Sequence, residues 1–126
     1  MPSKKETTNS SLRIVVLGSS GVGKSAIVMQ YVRGIFIETY DPTLEDSFTK
    51  RVHLGNHYEP IDAEILDTAG TDQFAAMRDM YIGNGDVFLL VYSVDSKASF
   101  NEACNLYNRI KAIKNKKVYN DTMMYR

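Results

Sequence analysis

A glycine-rich turn between an apolar run and a helix-forming segment constrains the fold of this chain more than any other feature. The stretch LRIVVLGSSGVGKSAIVMQY occupies residues 12 to 31. Its apolar half, rich in leucine and β-branched residues, is typical of a strand buried on both faces of a sheet. From Lys24 onward the residues favour a helix, on which Ile27 and Tyr31 share one face. The sequence therefore predicts a strand, a tight turn and a helix in direct succession.

The turn itself has the pattern of a phosphate-binding loop. Residues 18 to 25, GSSGVGKS, match G-x-x-x-x-G-K-[ST] in full. Glycines let the backbone approach a ligand closely, so that successive N–H groups and the start of the helix surround phosphate oxygens. Lys24 places a positive charge on the outer phosphates, and the Ser25 hydroxyl can ligate Mg²⁺. The predicted phosphate ligands are Ser20, Gly21, Val22, Gly23, Lys24, Ser25 and Ala26.

A polar segment after a later apolar run predicts the other half of a metal site. Residues 63 to 66, AEIL, have strand character and lead into Asp67, Thr68, Ala69 and Gly70. An acidic residue at the end of a neighbouring strand can hold Mg²⁺ opposite the loop serine. We therefore expect Asp67 to hold the metal through water, and the Gly70 N–H to meet a terminal phosphate. D-x-x-G is also a common turn, but its place after the loop and a predicted hairpin favours the functional interpretation.

The order of the remaining elements predicts an α/β fold. A hairpin is expected from strands at 47–54 and 63–66, followed by a short helix at 74–81, a buried strand at 87–94 and an amphipathic helix at 100–110. Such units form the open, mostly parallel sheet of P-loop NTPases, with helices on both faces and ligands beyond the carboxyl ends of the strands. We expect a flexible tail at 1–11, a partial domain at 12–114 and an irregular tail without further elements at 115–126.

Composition narrows the class of protein. The chain has 126 residues, with 15 basic and 15 acidic side chains, so no net charge favours nucleic acid or an anionic membrane as a partner. The longest apolar run, VFLLVY, is too short to span a bilayer, and the N-terminal residues lack the apolar segment of a signal peptide. A single cysteine, Cys104, fits a reducing compartment. We expect a cytoplasmic protein that binds no nucleic acid.

Three further segments give the chain a specific resemblance. YDPTLEDSF at 40–48, LDTAGTDQFAAMRDMY at 66–81 and VFLLVYSV at 87–94 follow the phosphate loop in order. With that loop, they make residues 12–114 similar to the Ras family of small GTPases, or small G proteins, and closest to its Ras and Rap branches. The resemblance implies a GTP- and GDP-binding switch in signal transduction that requires Mg²⁺ and hydrolyses GTP slowly. It also implies effector proteins, exchange factors and GTPase-activating proteins as partners.

The resemblance assigns roles to several loop residues. Thr43 would bring its hydroxyl to Mg²⁺ and its N–H to the γ-phosphate, while Tyr40 would cover the phosphates. Phe36 would pack on the guanine edge, although a loop aromatic can also fill a gap in the core. Thr43 and Gly70 would contact only the terminal phosphate, so the loops that carry them would be ordered in its presence and released after hydrolysis.

The same resemblance makes one continuous segment the surface that effectors bind. Glu45 and Asp46 suit a partner with a basic face, although a run of charges is also ordinary solvated surface. The implied effector-binding residues are Tyr40, Asp41, Pro42, Thr43, Leu44, Glu45, Asp46, Ser47 and Phe48.

Two substitutions within the motifs predict unusual hydrolysis. Thr71 stands where most Ras-like proteins have the glutamine that orients the attacking water, a threonine that the Rap branch shares. Thr71 and Gly70 are therefore the catalytic candidates, and hydrolysis should be slow unless a partner supplies the missing group. Ser20 stands where the family usually has glycine. Its side chain would crowd the γ-phosphate and the path of an incoming arginine, which predicts a weak response to activating proteins.

The largest departure concerns the C-terminal part. Asn115 and Lys116 are followed by Val118 rather than by the aspartate of the N-K-x-D motif that binds guanine. Without that carboxylate we expect nucleotide affinity to fall by about two to four orders of magnitude. The strand at 87–94 would lie uncovered at the sheet edge. The chain has no C-terminal cysteine for lipid attachment, so the plasma-membrane association typical of the family is not expected.

Two alternatives stay open at the level of sequence. The chain could be a truncated, hydrolysis-incompetent Ras-like fragment with weak or no nucleotide binding. It could also be a different P-loop enzyme such as a nucleotide kinase, against which the effector-loop and D-T-A-G motifs argue.

Overall fold

The computed structural model describes residues 11–34, 45–69, 75–115 and 122–124. The elements in these ranges are β1 (Ser11–Gly18), α1 (Lys24–Arg33), β2 (Glu45–Val52), β3 (Ile61–Thr68), α2 (Ala75–Asn84), β4 (Val87–Val91), α3 (Lys97–Lys114) and β5 (Thr122–Met124).

The described strands form one mixed sheet in the order β2-β3-β1-β4-β5. β3, β1, β4 and β5 run parallel, and β2 runs antiparallel to β3. The carboxyl ends of β1 and β3 therefore lie side by side at the edge where ligands bind in sheets of this kind. The predicted hairpin is confirmed, because β2 pairs with β3 along its whole length around a turn in which the Tyr58 N–H donates to Gly55 O.

Each face of the sheet has its own core. The face covered by α2 and α3, the α2/α3 face, buries Val15, Leu17, Ile82, Phe88, Leu90, Leu106 and Ile110. The face covered by α1, the α1 face, buries Val16, Val28, Ile65 and Val91. Successive residues of β1 enter opposite cores, so this strand is buried on both faces, as predicted. The α/β fold with helices on both faces of a mostly parallel sheet is confirmed.

The orientation of α1 differs from the prediction. Ile27 and Tyr31 were expected to form its apolar face, but they are 46% and 45% exposed. Lys24 and Val28 instead face the sheet, and Val32 packs against the same core. Lys24 carries the charge that serves the preceding loop, so the helix turns this residue inward and brings Val28 and Val32 in with it at helical spacing.

The C-terminal part of the sheet also corrects the prediction. β4 ends at Val91, and Val94, expected in the strand, is 84% exposed. No element was expected after Lys114, yet Thr122–Met124 form β5, which pairs parallel with Phe88, Leu89 and Leu90. β4 is therefore not the sheet edge, and the expectation that it lies uncovered is wrong. Three residues are too few to show the alternating pattern of a strand, so only pairing with β4 marks this segment as one.

The helices of the α2/α3 face begin and end at other residues than the sequence pattern predicts. α3 begins earlier than predicted because the Ser96 hydroxyl accepts the Ser99 N–H at 3.2 Å and caps the helix. Phe100, at the start of the predicted amphipathic helix, is 41% exposed and packs edge to face on Tyr92. α2 continues past its predicted end at Tyr81 to Asn84. Among the helices of the described ranges, none has the length and hydropathy needed to cross a membrane.

Candidate functional site: the phosphate loop and an adjoining cation site

The loop begins where β1 passes very close to β4. Gly18 has φ +155°, and a Cβ built there would lie 2.3 Å from Val91 O. No side chain larger than hydrogen fits at that distance, so this glycine is required by the neighbouring strand. Gly23 has φ +104° and ends the loop as the N-cap of α1, in the left-handed region that glycine adopts at little cost. The two glycines therefore fix where the loop starts and where it enters the helix.

The start of α1 is arranged to receive an anion. The Ile27 N–H donates to Gly23 O at 3.0 Å, which is the first bond of the helix. Gly23 offers no side chain to cap the helix, and no acidic residue occupies its first turn. The first-turn N–H groups and the positive end of the helix dipole thus point into the loop, the arrangement that binds phosphate groups.

Lys24 lies inside this loop. Its side chain is buried, 5% exposed, and Nζ donates to Gly18 O at 3.0 Å and to Ser19 O at 2.8 Å. Burial lowers the pKa of the Lys24 ammonium, and the nearby Asp67 carboxylate partly offsets that effect. The two carbonyl bonds hold the ammonium against the concave side of the loop, where it can interact with a bound anion.

Ser25 and Asp67 form the part of the site that fits a cation. The Ser25 hydroxyl donates to Asp67 Oδ2 at 2.5 Å, although the two residues are far apart in sequence. Asp67 is only 2% exposed, and its Oδ1 atom is buried without a hydrogen-bond partner among the described residues. A hydroxyl oxygen and a carboxylate with an unsatisfied oxygen are ligands that Mg²⁺ prefers. These two side chains therefore fit a magnesium ion beside the phosphate loop.

The charge of Asp67 is poorly compensated by the protein. Burial raises the pKa of the Asp67 carboxyl, while the Ser25 hydroxyl and the Lys24 ammonium lower it. The Asp46 carboxylate, directly opposite Asp67 in the β2–β3 ladder, raises it further. A bound cation would favour the ionised carboxylate, which is the state that a metal ligand requires.

The end of β3 is fastened to β1 next to the site. The Thr68 hydroxyl is buried and donates to Val16 O at 2.7 Å. Asp67 itself is the register partner of Val16 in the parallel β1–β3 pair. These contacts fix the position of Asp67 relative to the strand that leads into the phosphate loop.

The structure places the other predicted site residues as follows. In the loop, Ser20 and Gly21 are exposed, and Val22 packs against the α1-face core. On β2, Asp46 and Ser47 are exposed, and Phe48 packs against that core with the Arg33 guanidinium over its ring. Eight predicted residues lie outside the described ranges, namely Phe36, Tyr40, Asp41, Pro42, Thr43, Leu44, Gly70 and Thr71.

Sequence reasoning missed two features of the site. Thr68 was noted only as part of the D-T-A-G motif, and its bond to Val16 has no sequence signal because it depends on the register of β1 and β3. The position of Asp46 opposite Asp67 was also missed, because the register depends on which residues form the turn. The turn runs from Gly55 to Tyr58, and a turn centred one residue earlier would place Ile65 rather than Asp67 opposite Asp46.

Comparison with known proteins agrees with the geometry. Residues 13–124 match the Ras family, which covers the phosphate loop, α1, the β2–β3 hairpin and the described elements through β5. Proteins of this family are P-loop GTPases that bind GTP and GDP together with Mg²⁺. A buried loop lysine, an uncapped helix start and a serine–aspartate pair between the first turn of α1 and the end of β3 are the parts that such a protein needs. The chain belongs to the Ras family.

Proposed function

We propose that this chain is a Mg²⁺-dependent GTP/GDP switch of the Ras/Rap type, with slow hydrolysis and with an effector-binding segment at residues 40–48. The observation that carries the proposal is the joining of two halves of one site. Lys24 lies in the phosphate loop, and the hydroxyl of its neighbour Ser25 donates to Asp67 Oδ2 on β3 at 2.5 Å.

The proposed contacts divide between phosphate and cation. The N–H groups of residues 20–26 and the Lys24 ammonium would bind the phosphate chain, as expected for a glycine-rich loop that leads into an uncapped helix. Ser25 and Asp67 hold the Mg²⁺ ion, which supplies charge neutralisation to the phosphates when it is bound. Thr43 and Gly70 would add contacts to the terminal phosphate, so that its loss releases the loops that carry them.

Slow hydrolysis follows from Thr71 and Ser20. A threonine hydroxyl at the glutamine-equivalent position is shorter than an amide, so it orients an attacking water less effectively. The exposed position of Ser20 on the loop supports the idea that its side chain obstructs an incoming catalytic group. Weak stimulation by an activating protein is the expected consequence.

The effector-binding proposal rests on β2. This strand pairs only with β3 within the described residues, so its outer backbone groups remain accessible along one edge of the sheet. The exposed Asp46 and Ser47 lie on it. A partner with a basic face fits the acidic start of this strand.

Calorimetric titration of the full chain tests the nucleotide site. GDP and GTP, each with Mg²⁺, should bind with micromolar or tighter dissociation constants, and chelation of Mg²⁺ should weaken both. Absence of saturable binding by the folded chain would overturn the switch and favour a fragment without nucleotide binding. Equal or tighter binding of ATP would favour a different P-loop enzyme.

Single-turnover hydrolysis tests the catalytic part separately. Bound GTP should disappear slowly, with little acceleration by a Rap-type activating protein. Replacing Ser20→Gly should restore acceleration if the side chain blocks access, whereas Ser19→Gly, at the neighbouring loop position, should not. Strong stimulation of the unchanged chain would contradict the role given to Ser20.

A further inference from the structure

Asp46 and Asp67 face each other across two antiparallel strands. They are direct register partners in the β2–β3 ladder. Side chains at opposed positions project from the same face of a sheet, with Cβ atoms about 4.5–5.5 Å apart. Phe48, two residues beyond Asp46, packs with Ile65 in the α1-face core, which identifies that face. Both carboxylates therefore lie on the α1 face, at the end of the sheet that holds Lys24 and Ser25.

This pairing is unfavourable unless a cation is present. Like charges at directly opposed positions destabilise a sheet. Asp67 is buried, and its Oδ1 atom has no hydrogen-bond partner in the described parts of the chain. Asp46 is exposed, and its Oδ1 accepts the Ser47 N–H at 3.0 Å, a local bond that holds the carboxylate near its own strand. None of the ion pairs between described residues includes Asp46.

We propose that Asp46 is a positioning residue for the divalent cation at Ser25 and Asp67. Its carboxylate raises the affinity of that site for Mg²⁺, and a cationic partner group that pairs with Asp46 lowers the affinity by the same factor. The inference rests on the proposed function, because it deepens the role of the same cation site. Linkage makes the effect reciprocal, so bound metal weakens the attraction between Asp46 and a basic partner.

The size of the effect follows from Coulomb's law. A divalent ion about 8 Å from a carboxylate in water has the same interaction energy as two unit charges about 4 Å apart, which corresponds to about a fivefold change in affinity. Charge reversal at Asp46 changes the local charge by twice as much as neutralisation. The fold-change for Asp46→Lys should therefore be roughly the square of that for Asp46→Asn.

Mn²⁺ titration of the full chain, followed by the electron paramagnetic resonance signal of free Mn²⁺, tests the proposal with and without GDP. Asp46→Asn should weaken Mn²⁺ binding about fivefold and Asp46→Lys about 25-fold, while Asp46→Glu stays within about twofold of the wild type. Asp62→Asn is the matched control, because it removes a carboxylate from the same hairpin on the opposite face of the sheet. It should change Mn²⁺ affinity by less than about twofold.

Two further readouts distinguish charge from structure. The difference in Mn²⁺ affinity between Asp46→Asn and the wild type should shrink as the salt concentration rises from about 0.01 M to about 1 M. Asp46 is exposed, so salt screens its charge. In chelator, the same variant should unfold at a temperature about 1–4 °C higher than the wild type, since repulsion from Asp67 is relieved. A variant that is merely damaged would unfold at a lower temperature.

The outcomes separate this inference from the proposed function. Equal Mn²⁺ affinity of wild type and Asp46→Asn, an equal loss in Asp62→Asn, or no measurable Mn²⁺ binding by the wild type would each overturn the role of Asp46. If GDP binds and Asp46→Asn has no effect, only this inference fails. If GDP does not bind while Mn²⁺ binding still depends on charge at position 46, the nucleotide switch fails and the role of Asp46 stands.

Discussion

The two faces of the sheet bury different chemistry. The α2/α3 face holds a core of seven buried apolar side chains, all from β1, β4 and the two covering helices. The smaller α1-face core has four, and beside it Lys24 and Asp67 are also buried. Burying charged groups lowers stability unless they are well paired, whereas burying apolar groups raises it. The difference indicates that the α2/α3 face stabilises the domain and thereby permits a charged site on the α1 face.

Lys24→Met gives the largest expected change, and it concerns binding. Loss of this buried charge, which would pair with a bound phosphate, should weaken GDP binding by about 3–5 kcal/mol, or about two to four orders of magnitude. Calorimetric titration with Mg²⁺ measures the loss. Lys97→Met, at the exposed first residue of α3, is the control and should bind GDP normally. If Lys24→Met binds GDP with unchanged affinity, the charged site on the α1 face is not the nucleotide-binding site.

A matched pair of core substitutions compares the faces directly. Ile110→Ala in the α2/α3 face should lower the free energy of unfolding by about 2–5 kcal/mol, because it opens a cavity under α3. Ile65→Ala in the smaller α1-face core should cost less. Denaturant unfolding measures both, and GDP titration at low temperature should show a loss only for Ile65→Ala, which lies two residues from Asp67 on the same face. A larger stability loss for Ile65→Ala would reverse the comparison.

Gly85→Ala tests how tightly the α2/α3 face is packed. A Cβ at this position would lie 2.7 Å from both the Phe88 ring and Val15 Cγ2. Both neighbours belong to the core, so the strain should lower the free energy of unfolding by about 1–3 kcal/mol. Gly55→Ala would meet no neighbouring atom, but its φ of +114° makes it a measure of backbone strain alone. If Gly85→Ala unfolds at the same denaturant concentration as the wild type, the packing around Gly85 is looser than these distances indicate.

Acidification should affect the α1 face through Asp67. Because the pKa of this carboxyl is raised by burial, it takes up a proton at a higher pH than an ordinary carboxyl. Below that folded pKa, Mn²⁺ affinity should fall up to about tenfold per pH unit, or about 1.4 kcal/mol. Between the unfolded and folded pKa values the folded state binds more protons, so metal-free stability should fall as pH rises. Asp67→Asn in chelator should lack this slope, and a slope of the opposite sign would contradict the assignment.

The smallest expected change is at the rim of the α2/α3 face. Asp79 Oδ1 accepts Arg109 Nε at 3.0 Å, and a second bond joins Arg109 Nη2 to Asp79 Oδ2, so α2 and α3 are tied by a bidentate pair. The pair lowers the pKa of Asp79. Its stabilisation is thus present above the unfolded pKa and is lost as pH falls through the folded value. Asp79→Asn should lower the melting temperature by about 1–4 °C at neutral pH, but not at low pH. A drop as large as that of Ile110→Ala would mean that this pair holds the helices together.

The sequence allowed the phosphate loop to be predicted because its chemistry depends on neighbours in the chain. Glycine, lysine and serine at fixed spacing specify the turn and the start of α1 without reference to the rest of the fold. The inward rotation of α1 was not predictable from hydrophobicity, since Ile27 is exposed while the charged Lys24 is buried. β5 was missed for another reason. Its place in the sheet comes from pairing with β4, and a three-residue strand has too little pattern to be recognised.

The effects of Asp46 lie between these cases. Both partners of the carboxylate pair were singled out from the sequence, one for the metal and one for effectors. Their proximity follows from the register of the hairpin, which the turn at Gly55 sets. The sequence motifs gave Asp46 and Asp67 separate roles, although the pairing of β2 and β3 places their carboxylates side by side.

The opening of the phosphate loop has a consequence for which mutations this gene can tolerate. At position 18 even alanine would push its methyl group into the Val91 carbonyl. The neighbouring strand therefore excludes any side chain at this position, whether or not nucleotide is present. Two positions later, Ser20 is exposed, so exchange there should leave the fold undisturbed. Inherited changes at position 18 would therefore be eliminated as folding defects, whereas position 20 is free to vary and could, under the proposed function, adjust the rate of hydrolysis.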